Sequence, residues 1–361
     1  MADLKKTALH YQNYLKLDKI LHAQFPMSKE LGDESHDEML FIIIHQAYEL
    51  WFKQIIHELK SVKDTIKDEK IDEKEIIKVV KRTDRIKEIL NLLVKQIDVL
   101  ETMTSIDFLD FRDYLSPASG FQSHQFRKIE VMLGLKINQR HSFGNCPYHD
   151  QFSGEEKKEI LTLEDQQSIF DLVEKWLNRN PFVNYGDFDF VEHYTTAIEN
   201  MMSKEMNSIK SSDILTDNEK NIRMKMLEGS KEYYKEIVSK ARFEEKNSNA
   251  FSKNALISAL LIFQYKDQPI LHMPYRFLKN LLDIDHIISN WRFRHAQMVD
   301  KMLGKKIGTG GSDGADYLKN TVYQNRIFND ISKISTLLLS RSFMPELPDK
   351  IKSKLGFSNL L

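Results

Sequence analysis

The 361 residues are enough for one large domain or two ordinary ones, and they can bury a substantial core without disulfides. The 52 Lys+Arg balance 53 Asp+Glu to a formal charge of -1, and the charges are dispersed, which argues against a nucleic-acid partner. A single cysteine, Cys146, excludes an intrachain disulfide and any cysteine-built zinc or iron–sulfur centre. The first six residues hold no apolar signal core. The longest apolar runs, 39–44 and 256–263, fall far short of the ~20 residues of a membrane span. No membrane partner is expected, and a reducing cytoplasm is the expected setting. With 13 Gly and 8 Pro, sharp turns are scarce, so long helices with few connections are favoured over many short strands.

In chain order, residues 11–25 read as a short amphipathic helix stopped by Pro26. Residues 37–66 read as a long helix whose start, 39–44, is apolar all round and therefore expected to be buried on every side. Residues 72–102 continue the helical period through Ile76, Val80, Ile86, Leu90, Val94 and Leu100. Ser116, Pro117, Ala118, Ser119 and Gly120 make a loop, followed by a helix through Phe126, Ile129, Val131 and Leu133. Segments 135–160 and 203–250 are polar and read as surface excursions. Residues 162–165 are a candidate cap for the helix that carries Trp176. Residues 254–265 read as a buried helix, and Pro274 as the start of a last long helix that ends at Gly304. No segment alternates like a strand. The expected fold is an all-α helical bundle forming a single domain over 1–361.

Several residues carry candidate chemistry. Phe41 and His45 share one face of the apolar helix, with Glu49 one turn further on. His295 lies on a stripe with Ile284, Ile288, Trp291, Met298, Val299 and Met302. A histidine on such a stripe is more often a core residue than a functional one. A neutral imidazole projecting into an aromatic cavity is also how a protein holds haem iron, and spacing does not separate the two. His45 with Glu49 could be half of a metal site, but no Glu-x-x-His occurs, which weakens a carboxylate-bridged di-iron bundle. Arg112, among apolar neighbours, is either a surface ion pair or a bidentate clamp for an anion. Residues 308–312 form a glycine-rich loop without the spacing of a nucleotide-binding motif.

Four stretches taken together resemble the tryptophan 2,3-dioxygenase family. They are Tyr11 to Asp18; Phe41 to Gln54; Phe111 to Arg127; and Trp291 to His295, followed by Gly308 to Ser312. The resemblance implies a helical bundle with long buried helices enclosing a haem b pocket. It implies oxidation of L-tryptophan by O2 to N-formylkynurenine, with both oxygen atoms incorporated, as the first step of tryptophan catabolism by the kynurenine pathway. It makes His295 the axial ligand of the haem iron and His45 the catalytic histidine that hydrogen-bonds the indole N–H. Phe41 and Leu115 would wall the indole, Arg112 would bind the carboxylate, and Thr309 the amino-acid end. Ser119 would lie beside the haem. Tyr11 and Tyr14 would reach a neighbour's pocket within a homotetramer, a dimer of dimers, with residues 1–26 docked across the subunit boundary. A haem sensor or carrier would need His295 but not Arg112, Phe41 and Thr309. A scaffold without cofactor would need none of them.

Overall fold

The computed structural model of the protein describes residues 9–68, 71, 73–140, 148–238, 250–304, 306 and 315–356. The chain opens on α1 (Tyr11–Leu15) and α2 (Leu17–Leu21), two five-residue helices where the periodicity predicts one. Lys16 breaks them: its backbone is left-handed at φ 53°, and its N–H closes the first helix on the Gln12 carbonyl. Pro26 then sits at the head of α3 (Met27–Glu30).

Two long antiparallel helices follow, α4 (His36–Ile66) and α5 (Glu73–Leu100). Ile44, Tyr48, Phe52, Ile55, Leu59, Val62 and Ile66 recur at three- and four-residue steps and are buried. Asp37 and Glu38 occupy the first turn of α4, where the helix dipole favours them. The buried Glu38 carboxylate also accepts from the Met27 and Ser28 amides and the Ser28 hydroxyl, tying α3 to that turn. Pairing of Glu58 with Arg85 and of Tyr48 with the Leu93 carbonyl fixes the antiparallel register.

The expected all-round burial of 39–44 does not hold. Ile44 is buried, but Met39 and Ile43 are exposed, and so is Leu50 two turns on. Their four- and seven-residue spacing makes one uncovered apolar stripe. The face carrying Phe41 and Tyr48 turns inward.

Connecting elements are short. α6 (Ser105–Arg112) is closed at its start by a Thr104/Asp107 capping box. A loop through Ser116–Pro117, a cis peptide, leads to α7 (His124–Leu133). Residues 135–160 are less superficial than their composition implies: Leu135, Phe152 and Ile160 are buried, and α8 (Gly154–Glu164) begins inside them. Cys146 lies outside the described residues. Thr162 is interior to α8, and α9 (Ile169–Leu177), which carries Trp176, is capped instead by a Ser168/Asp171 box. A four-residue ladder, β1 (Asn184–Tyr185) with β2 (Phe188–Asp189), precedes the solvated helices α10 (Phe190–Lys210) and α11 (Asp217–Val238). The apolar α12 (Lys253–Gln264) is buried almost throughout.

The helix α13 (Pro269–Leu303) starts at Pro269, not Pro274. Pro269 occupies the first turn, where no N–H is needed, and Pro274 is carried inside the helix. Gly304 ends it with φ +57°, a backbone that glycine adopts without strain. α13 runs parallel to α5, since contacts advance together along both: Asp84 meets Asn280, and Asp98 meets Arg294. Three shorter helices, α14 (Ala315–Gln324), α15 (Asn329–Leu337) and α16 (Asp349–Leu355), complete the fold. No helix among the described residues is long and apolar enough to cross a membrane.

Candidate active site between two long helices

With α4 antiparallel to α5 and α5 parallel to α13, α4 and α13 must run antiparallel. Trp291 meets Tyr48 in that register. One turn along each helix, His45 and His295 then fall opposite each other. The two imidazoles feel each other: the position of His45 disfavours charge on His295. Burial is the main cause, and together they bring the His295 pKa down to about 4. The imidazole is therefore neutral at pH 7 with a lone pair to offer. Among the described residues no hydrogen bond reaches either of its ring nitrogens. Its fixing contact is Trp291, stacked 5.4 Å away at 14°.

His45 has an exposed edge, yet burial holds its pKa below the ordinary 6.5. Both hold if the open edge faces a recess while protein crowds the rest of the ring. Its Nδ1 lies 2.7 Å from the Phe41 carbonyl, which can only accept. The proton is thus assigned to Nδ1, and Nε2 is left as an acceptor. Phe41 tilts over His45 at 4.1 Å and meets Phe108 and Phe111 at 5.8 and 5.6 Å. This aromatic wall brings the last turn of α6, and with it Arg112, to the Phe41 end of α4. The Arg112 side chain is 16% exposed, and Asp113, mostly in solvent, lies at the 4.0 Å limit of an ion pair. Leu115 packs on the core in the next turn.

The loop that carries Ser119 is held to the same helix. Ser119 caps the 3-10 turn Gly120–Gln122. Beyond it, the Ser123 hydroxyl and the Gln125 amide donate to the Glu49 carboxylate at 2.6 and 2.8 Å. Glu49 is thus a tether for this loop and not half of a metal site. No group of three or more His, Cys, Asp and Glu suited to a metal occurs among the described residues. Thr309 and the rest of 308–312 lie outside them. Tyr11 and Tyr14 are 72% and 69% exposed, on a helix that buries no residue.

Sequence reasoning missed two residues and misread the role of a third. Arg292, three before His295, is buried and paired at 2.6 Å with the fully buried Glu130 of α7. Burial alone would raise the Glu130 pKa, but Arg127, Arg140 and Arg292 hold it well below the usual carboxylate range. Breaking such a pair by removing one partner typically costs about 3–5 kcal/mol, so Glu130 locks α7 to the His295 helix. The only sequence signal is an arginine inside an otherwise apolar stripe, with no hint of a partner 162 residues away. Tyr48 was the other, and Glu49, read as half of a metal site, proved to be the tether of the Ser119 loop. Each is used by a residue remote in sequence.

A neutral, otherwise uncommitted imidazole stacked on Trp291 and facing His45 fits ligation of haem iron, and does not fit a metal held by protein side chains alone. The sequence profile of the tryptophan 2,3-dioxygenase family matches residues 1–338. The chain belongs to this family. A tryptophan 2,3-dioxygenase of Alteromonas mediterranea is 44% identical over 351 residues, covering 96% of this chain and 97% of that relative. One of Bdellovibrio bacteriovorus is 42% identical over 357 residues, 98% and 99% of the two chains. One of Dictyostelium discoideum is 41% identical over 361 residues, 99% and 90%. Family membership and the all-helical fold both agree with the expectations drawn from the four motifs.

Proposed function

We propose that the recess between α4 and α13 is the haem-dependent site at which this chain oxidises L-tryptophan with O2 to N-formylkynurenine. Tryptophan 2,3-dioxygenation, the first step of tryptophan catabolism, is the activity of the family to which the chain belongs. The observation that supports the site is the neutral imidazole of His295 standing opposite the acceptor nitrogen of His45. Haem, when bound, supplies the oxygen chemistry. The chain's own residues bind and orient. His295 would hold the iron, with Ser119 beside the ring. Phe41 and Leu115 would wall the indole, and His45 Nε2 would accept the indole N–H. An imidazole is far too weak a base to deprotonate an indole, so His45 orients and does not abstract. Arg112 would clamp the carboxylate and Thr309 the amino-acid end, which fixes the ring carbons in place. A homotetramer in the cytoplasm completes the reading, in line with a single cysteine and the uncovered apolar stripe of α4.

The first test is a visible spectrum of the purified protein with and without L-tryptophan. A haem band that moves on adding substrate is expected; a protein purified under haem-replete conditions with no such band removes the reading.

Arg112→Ala is expected to weaken tryptophan binding roughly ten- to a hundredfold, the worth of a charge-assisted bidentate contact, while CO binding stays the same. Tryptamine lacks the carboxylate and should bind the unmodified protein as poorly. Equal binding of tryptamine and tryptophan would refute the clamp.

His45→Ala should leave measurable turnover, because a lost hydrogen bond costs only about 0.5–1.5 kcal/mol. Its pH dependence follows from sign. His45 accepts only when neutral, and its pKa lies below 6.5. KM for tryptophan should therefore stay flat as pH falls from 8 to about 6.5 and rise only below that. In His45→Ala that acid limb should vanish. Complete loss of turnover with haem and substrate binding intact would instead make His45 an obligatory base.

A further inference from the structure

The Tyr48 phenol is buried between α4, α5 and α13 and takes no part in the binding roles above. It donates to the Leu93 carbonyl at 2.6 Å, and since that carbonyl only accepts, the phenol oxygen turns its lone pairs to Trp291. The Trp291 Nε1–H reaches it at 3.4 Å, a long hydrogen bond. Burial pushes the Tyr48 pKa up to about 12, so the donor proton is kept throughout the neutral range. The Trp291 indole also packs against Phe126 at 5.1 Å, itself braced by Phe52 at 5.4 Å. Trp291 is thus held at its polar edge by one hydroxyl and along its body by the Phe126 ring, which Phe52 backs.

What Trp291 holds in turn is His295. An imidazole free of hydrogen bonds can rotate about its outer side-chain torsion, a broad and shallow one. The near-parallel Trp291 ring stacks on it and restricts that rotation. Axial histidines are generally oriented by a hydrogen bond from their second nitrogen. Here an aromatic stack stands in that position.

We propose that Tyr48 is a positioning residue for the His295 imidazole, acting through Trp291, so that the helix carrying His45 also sets the ring plane of the ligand opposite. This rests on the haem reading above. Tyr48 lies three residues from His45, so one helix fixes both faces of the recess. A shift of α4 would move the acceptor for the indole and the brace of the axial ligand together.

The test is the iron–histidine stretching band in the resonance Raman spectrum of the ferrous protein. Tyr48→Phe keeps the ring and removes the hydroxyl; Trp291→Leu removes the stack; Trp291→Phe keeps an aromatic face. Tyr194→Phe is the control, because it deletes an equally buried hydroxyl that donates to the Leu337 carbonyl far from the recess. Tyr48→Phe and Trp291→Leu should shift and broaden the band, with Trp291→Phe closer to the parent. Tyr194→Phe should leave it unmoved even if it lowers the melting temperature as much. kcat should fall on the order of three- to tenfold in Tyr48→Phe with KM for tryptophan unchanged. An unshifted band in Tyr48→Phe overturns the inference while leaving the haem reading intact. Should Tyr48→Phe not fold, Tyr48→Met, which also removes the hydroxyl, takes its place, and an unshifted band there overturns the inference; equal bands in Trp291→Leu and Trp291→Phe overturn it as well, since they mean no brace. A parent protein with no histidine-ligated haem would bring down the functional reading first, and this inference with it.

Discussion

His295→Ala is expected to abolish both histidine-ligated haem and turnover. Two features make the effect large. The recess offers one imidazole with no competing hydrogen bond, and no cluster of other ligands among the described residues could take over. His45, the other imidazole in the recess, has Nδ1 committed to the Phe41 carbonyl. It sits on α4, whose position is fixed by the Tyr48 and Glu58 contacts to α5. The loss should appear as disappearance of the five-coordinate ferrous spectrum, with far-ultraviolet dichroism unchanged. His295→Gly with added imidazole should regain part of it. The haem-free protein supplies a second readout. His295 titrates near 6.5 when unfolded and at about 4 when folded, so as pH falls the unfolded chain takes up the proton first. Its neutral form thus supports a stability fully present above pH 6.5 and lost progressively toward pH 4, by ~3 kcal/mol. His295→Ala apoprotein should lack that acid slope. A normal ferrous spectrum and turnover in His295→Ala would place the axial ligand elsewhere.

Both histidines and the helices that carry them were legible in the sequence, because a long amphipathic helix announces itself by period and the four motifs keep their order. What period could not supply was direction. The antiparallel approach of α4 to α13 depends on α5 between them, and on pairs such as Tyr48 with Leu93 and Asp98 with Arg294 that are far apart in the chain. That register alone sets His45 opposite His295. Caps were misplaced for a related reason. Thr162 and Ser168 both start plausible boxes, and the choice went to Ser168 because Ile169, Phe170 and Val173 behind it are buried. Burial of 39–44 was overstated because an apolar run does not say what covers it. Met39, Ile43 and Leu50 are left 40%, 48% and 53% exposed.

The last expectation concerns what covers them. Residues 9–31 expose Leu9, Tyr11, Tyr14, Leu21, Phe25 and Leu31, in a segment whose helices, of five residues or fewer, are marginal in isolation. The segment is nonetheless anchored at its far end, where Gln46 binds the Ala23 carbonyl and Gln24, and Glu38 binds the start of α3. An anchored, apolar and uncovered strap beside an uncovered apolar stripe on α4 is the pattern of a surface completed by a second copy. Deleting residues 1–26 should therefore lower tetramer content in sedimentation and reduce turnover together. A sharper result is expected from hybrids. Chains with Tyr11→Ala and Tyr14→Ala keep their own His295 but offer a neighbour no tyrosines. Chains with His295→Ala offer tyrosines but have no axial ligand. Each homotetramer should be nearly inactive. If the pocket is shared, the first kind of chain in a mixed tetramer receives Tyr11 and Tyr14 from the second, and turnover should return in proportion to the hybrid fraction measured by native mass. If mass-verified hybrids show no recovery at all, the tyrosines serve their own chain and the pocket is not shared.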